Sequence, residues 1–202
     1  MERALGARSV TGMEANASGE RALVVYESMF GNSHAVAEAV ACGLSTGLDA
    51  KAVPVHRVDA ADIAAADLLI VGGPTHVHGM AGAMSRKSAI QAGEEEGVEL
   101  EESATAEPTL RTWLPGLDGD GRRAAAFDTR VDRTPMLTGS AARGIAKRLR
   151  KHGFVLAADS NSFFVDGTTG PLADGELERA ERWGAGLARL VNGDPAALEN
   201  AR

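Results

Sequence analysis

The sequence predicts an α/β domain built on a five-stranded parallel sheet with helices on both faces. Three observations lead there. Short apolar runs rich in β-branched residues alternate with segments of helical period. The run 68–71 is apolar without interruption, as a strand buried on both faces must be. The chain shows no internal repeat and no second apolar core, so strand–helix alternation yields one sheet with right-handed crossovers.

Residues 1–20 are small, polar and aperiodic and read as an extension ahead of a domain over 21–193, with 194–202 as a tail. The first strand is 22–26. A loop, 27–33, leads into a helix over 34–44, with Asn32 or Ser33 as its cap. Residues 50–58 form a second strand, placed near an edge by Pro54. The third strand, 68–71, ends in Gly72-Gly73-Pro74-Thr75. The stretch 76–120 is the least regular, with a short helix over 85–91 and a helical turn at 110–114. The fourth strand, 123–127, ends in Asp128-Thr129-Arg130. Ala142, Ile145, Ala146 and Leu149 form the apolar stripe of a helix over 141–152, stopped by Gly153. The fifth strand is 154–158, and the following 160–174 is either a long link or a continuation of that strand. In the last helix, 175–191, Leu177, Ala180, Trp183, Leu187 and Leu190 share one face. Cys42, Trp113 and Trp183 read as core residues.

Composition narrows the function. A chain of 202 residues with 44% hydrophobic and 24% charged residues is an ordinary globular protein. A single cysteine excludes an internal disulfide and a cysteine-rich zinc site. No apolar run approaches the ~20 residues of a membrane span, and the first twenty residues lack the apolar core of a secretory signal, so the cytoplasm is the expected address. With 21 basic against 28 acidic residues the net charge is −7, which disfavours nucleic acid. Seven glutamates and no Lys or Arg fall within 94–107. That segment is either a solvated insertion or a docking surface for a basic partner.

The sharpest motif is Ser28-Met29-Phe30-Gly31-Asn32-Ser33, between the first strand and the first helix. A turn there directs backbone N–H groups and two hydroxyls to one point, and the helix N-terminus adds positive potential, which is what a phosphate needs. The loop has neither the lysine of a P-loop nor the G-x-G-x-x-G of a dinucleotide fold, which favours a monophosphate. Ligands of open parallel sheets sit outside the carboxyl ends of the strands. Three loops converge on that crevice: 28–33, 74–80 and 128–133. His76 and His78 also form an H-x-H pair, but two ligands are too few for a metal site and none is expected. His34 lies either near the phosphate or exposed on its helix.

Taken in this order, the three loops resemble the flavodoxin family over about 22–191. Ser28-x-x-Gly31-x-Ser33 is similar to the family's phosphate loop, with Phe30 in place of a usual hydroxyl. Gly72-Gly73-Pro74-Thr75-His76 resembles the end of its third strand, and Phe127-Asp128-Thr129-Arg130 the start of its second ring-binding loop. The resemblance implies a doubly wound sheet in order 2-1-3-4-5, non-covalent FMN and electron transfer between partner proteins. The alternative is an FMN-dependent NAD(P)H:quinone-type oxidoreductase. It implies phosphate contacts from Ser28, Met29, Phe30, Gly31, Asn32 and Ser33. Pro74, Thr75, His76 and Gly79 would lie beside the ring, and Asp128, Thr129 and Arg130 at its pyrimidine edge. No residue is assigned a catalytic role. Where many family members flank the ring with Trp and Tyr, this chain has His76, Val77, His78 and Met80 on one loop and Val131, Thr134, Pro135 and Met136 on the other.

Overall fold

The computed structural model describes residues 19–76, 79–132 and 139–194. Period-two alternation sorts the central strands between two cores. In β1 (Arg21–Tyr26), Ala22, Val24 and Tyr26 enter one core, while Leu23 and Val25 enter the other. β3 (Leu68–His76) and β5 (Arg123–Val131) divide in the same way: Ile70 and Phe127 face the first core, Val71 and Ala126 the second. β2 (Asp49–Pro54) pairs with β1 and lies at the edge, as Pro54 requires.

Helices cover both faces. α1 (Asn32–Leu44) and α6 (Glu176–Val191) close the first core, where Phe127, Phe163 and Trp183 meet edge to face at centroid distances of 6.0–6.5 Å. α5 (Ala141–Lys151) and the short α4 (Leu110–Trp113) close the second, burying Ala142, Ile145, Ala146 and Leu149. Trp113 packs against this core only partly buried. The sheet order is β2-β1-β3-β5 with the fifth position shared by two strands. β6 (Val155–Leu156) pairs with the start of β5, and β7 (Asn161–Val165) with its end. The link after the fifth strand is therefore its continuation, and the order 2-1-3-4-5 holds with the last strand interrupted.

Several elements differ from expectation. The third and fourth strands run further, so Pro74–His76 and Asp128–Arg130 are strand residues rather than loop residues. Parallel pairing up to Pro74–Thr129 extends them. β4 (Gly79–Met80) returns antiparallel along Thr75 and His76. A short helix, α2 (Ala60–Ala65), precedes β3. α3 (Ala83–Glu96) is twice the expected length because Ala, Gln and Glu propagate a helix well, and it stops at Gly97. Gly31, not Asn32 or Ser33, caps α1. Cys42 is exposed because α1 buries Val36, Ala37, Val40, Ala41 and Leu44, leaving position 42 on the outer face. Leu177 is exposed because Glu176 takes the buried slot at the start of α6. Its carboxylate accepts the Phe164 N–H at 2.7 Å and pairs with Arg179. The extension 1–18 and the tail 195–202 lie outside the described residues.

Candidate functional site

A cleft of about 340 Å³ opens at the carboxyl ends of β1, β3 and β5. The loop beneath it turns at Gly31, whose φ of 89° belongs to the left-handed region that glycine adopts without strain. The turn points the Gly31 N–H at Ser28 Oγ, 3.1 Å away. Ser28 Oγ thus spends an acceptor and keeps its own proton to donate. The N–H groups of Met29, Phe30, Asn32, Ser33 and His34 have no acceptor among the described residues, so one loop and one helix start offer a set of open donors. Ser28 is fully buried and Ser33 is 2% exposed. Ser33 Oγ meets Thr129 Oγ1 at 2.7 Å, joining α1 to β5 across the floor.

The second wall comes from β3. Thr75 Oγ1 donates to Asp128 Oδ2 at 2.9 Å and accepts the Ala141 N–H at 2.8 Å. Asp128 Oδ2 also accepts from Ser140 Oγ (2.7 Å) and the Ala142 N–H (2.9 Å). Asp128 is thus the pin that ties β5, Thr75 and the N-terminus of α5 together, and it does not itself line the cleft. His76 does line it, with Nε2 buried and without a hydrogen-bond partner among the described residues. Burial, helped by the Arg86 charge, holds its pKa below the ordinary histidine value and keeps the ring neutral. Gly79 stands opposite His76 in β4.

Thr129, Arg130 and Val131 form the third wall. The Arg130 guanidinium lies over the Phe164 ring at 5.1 Å. A fourth contribution was not anticipated: Val165, Gly167 and Thr168, where β7 ends, also line the cleft. Asn32 Nδ2 donates to the Gly170 carbonyl at 2.7 Å and holds this turn against α1. The signal was the run Gly167-Thr168-Thr169-Gly170 after an apolar strand, at the end of the sheet where ligands bind.

The structure thus brings Ser28, Met29, Phe30, Asn32, Ser33, Pro74, Thr75, His76, Thr129 and Arg130 to one cleft. Gly31, Gly79 and Asp128 shape its surroundings. No Trp or Tyr lines it among the described residues. Val77 and His78, hence the H-x-H pair, and Thr134, Pro135 and Met136 lie outside the described residues. No group of three or more metal-ligating side chains occurs among those described. His34 turns aside from the loop. It stacks on Tyr26 at 4.9 Å, and its Nδ1 lies 3.0 Å from Glu101 Oε1.

The acidic segment is not a loose insertion. Glu94–Glu96 form the last turn of α3 and are exposed, while Ser103 and Ala104 are buried against the loop. Glu102 pairs with Arg57, and its Oε1 lies 3.6 Å from His56 Nε2.

A flavin monophosphate suits this donor set: buried hydroxyls and open N–H groups at one end, and the neutral, unpartnered His76 and the apolar Val131 and Val165 at the other. A flavodoxin family model matches residues 24–112. No curated protein matches the sequence. Among solved structures, a flavodoxin from the domain Archaea superposes with a TM-score of 0.57 at 21% identity, covering 85% of this chain and 99% of that one. Flavodoxin 1 from Bacillus cereus gives 0.56 at 14%, covering 87% and 99%. The flavodoxin of Streptococcus pneumoniae TIGR4 gives 0.55 at 20%, covering 85% and 97%. These likenesses establish a flavodoxin-like fold, and the family model matches the stretch from β1 to α4.

Proposed function

We propose that residues 21–193 form a single domain that binds FMN non-covalently in the cleft and carries electrons between partner proteins. The observation that carries this reading is the 28–33 loop, with two buried hydroxyls, a row of N–H groups without an acceptor among the described residues, and no lysine. Ser28, Ser33 and the N–H groups of Met29, Phe30, Asn32 and Ser33 would hold the phosphate. Pro74, Thr75 and His76 would flank one side of the ring and Thr129 and Arg130 its polar edge, with Gly79 and Asp128 shaping those walls. FMN, when bound, supplies the redox chemistry, and the protein orients it, limits its solvent access and sets its electrostatics.

The partner is read as a redox protein with a basic docking face, because Glu94–Glu96 stand exposed at the end of the helix that flanks the loop. The cytoplasm is the address this reading expects; no helix among the described residues is long and apolar enough to cross a membrane. The second reading is an FMN-dependent NAD(P)H:quinone-type oxidoreductase. It draws on the absence of Trp and Tyr among the described lining residues, which leaves the cleft without a stacked aromatic cover.

Titrating ligand-free protein with FMN, FAD and riboflavin tests the site: FMN should bind far more tightly than the other two, and no flavin binding would refute it. Stopped-flow mixing with NAD(P)H and a quinone separates the roles. A carrier reacts slowly without a reductase, and fast turnover would make the protein an enzyme. Replacing Glu94, Glu95 and Glu96 by Gln should slow reduction by a basic partner and flatten its salt dependence. Unchanged rates would show that this helix end is not the docking face.

A further inference from the structure

α3 runs beside the phosphate loop, and Arg86 on it is 8% exposed. Its Nη2 donates to three carbonyls in succession: Ser103 (3.2 Å), Ala104 (2.6 Å) and Ala106 (3.3 Å). Its Nη1 faces Glu27 Oε1 at 3.4 Å. Glu27 immediately precedes the loop, and its other oxygen accepts the Leu110 N–H at 2.9 Å. One guanidinium thus ties together the end of β1, the turn over 103–106 and, through Glu27, the start of α4.

That turn in turn grips the loop. Ser103 Oγ accepts the Ser28 N–H at 2.9 Å and donates to the Ser28 carbonyl, so both sides of this residue's backbone are fixed by one hydroxyl. The Glu101 N–H donates to the Met29 carbonyl at 2.9 Å. Ser28 Oγ then receives the Gly31 N–H that closes the left-handed turn. None of the groups doing this bracing lines the cleft. A buried ion pair is a poor source of net stability, since desolvation offsets most of its attraction. Its use here lies in geometry: a planar fork reaches a carboxylate on one side and three carbonyls on the other, which an ammonium cannot do.

We propose that Arg86 is a positioning residue for phosphate recognition, holding the 101–106 turn so that Ser103 sets the Ser28 peptide and, with it, the donors of the 28–33 loop. The inference rests on the FMN reading and extends it to a residue outside the cleft. It also gives the lower part of the acidic segment a role as a brace.

The test compares FMN with riboflavin, which keeps the ring and side chain but lacks the phosphate, by flavin fluorescence titration of ligand-free protein. Arg86→Met, Arg86→Lys and Ser103→Ala are measured beside the parent, with thermal unfolding of each. Arg86→Met and Ser103→Ala should weaken FMN binding by about tenfold or more, as loss of a hydrogen-bonded brace implies, and leave riboflavin nearly unchanged. Arg86→Lys should not rescue. Ser103→Ala leaves the buried charge pair intact and decides the matter if Arg86→Met does not fold. Equal losses for the two ligands, an unchanged FMN-to-riboflavin ratio, or full rescue by lysine would each overturn the proposal. A parent protein that binds both ligands alike refutes the FMN reading itself, and the role of Arg86 with it.

Discussion

The Ser33–Thr129 contact makes a prediction in two states of the protein. The hydroxyls meet at 2.7 Å and are 2% and 4% exposed by residue, so solvent is a poor substitute partner for either. Removing one leaves the other buried and unsatisfied, which costs about 1–3 kcal/mol. Removing both, as Ser33→Ala with Thr129→Val, takes away donor and acceptor together and is closer to neutral. In urea unfolding of ligand-free protein, the double variant should therefore lose less than the sum of the singles, with a coupling of about 1–2 kcal/mol. FMN binding should respond differently. A hydroxyl donating to a charged phosphate contributes about 1.5–3 kcal/mol, so Ser33→Ala should raise the FMN Kd by about 10- to 150-fold. Strictly additive stabilities would mean that the two hydroxyls do not meet in solution. An unchanged FMN Kd would remove Ser33 from the phosphate site.

Three further outcomes follow from other parts of the molecule. Tyr26 is the only tyrosine in the chain, and burial, reinforced by Glu101 and Glu38, pushes its pKa up to about 12. Its phenolate absorbance should appear only near pH 12, and because the unfolded chain ionises near 10, this residue's contribution to stability is lost as pH rises from 10 towards 12; an ordinary titration near 10 would contradict the burial. A Cβ at Gly72 would lie 2.1 Å from Phe127 Cε1 in the middle of the sheet, so Gly72→Ala should destabilise the fold by about 3 kcal/mol, and a Tm equal to the parent's would refute that packing. Arg130 lines the cleft with 8% exposure, and if its charge stabilises the fully reduced flavin, Arg130→Gln should lower that couple's potential by the equivalent of about 1–3 kcal/mol in spectroelectrochemistry; an unchanged potential would assign the residue a structural role, such as its packing on Phe164.

What could be read in advance depended on how far along the chain its cause lay. The apolar stripe of α5 is a matter of period, and all four of its expected residues are buried. The 28–33 loop is local as well: Ser28, Gly31 and Ser33 lie within six residues, and their spacing carries the geometry. Asp128 marks the limit. Its place beside the site was legible, but its pinning of Thr75 and α5 depends on parallel pairing of β3 with β5. The same holds for Ser103 on Ser28, 75 residues away, and for Gly170 on Asn32, 138 residues away. Nothing in either neighbourhood announces the partner. The misplaced residues have a related cause. Leu177 fits an apolar face by spacing, but a carboxylate needed for the Phe164 N–H occupies the buried position instead.

That carboxylate bears on how the molecule behaves among its own copies. A strand at the border of a sheet normally presents a row of open amides and carbonyls, on which a strand from another chain can assemble. On β7 that row is already used. The Ser162 N–H goes to its neighbour's Asn161 Oδ1 and the Ser162 carbonyl to Arg179. The Phe164 N–H goes to Glu176, and the Phe164 carbonyl to the returning Ala173 N–H. β6 offers only two residues before the strand breaks, and β2, at the opposite border, ends in a proline. The β7 border is therefore a poor template, which works against edge-to-edge aggregation on that side of the sheet.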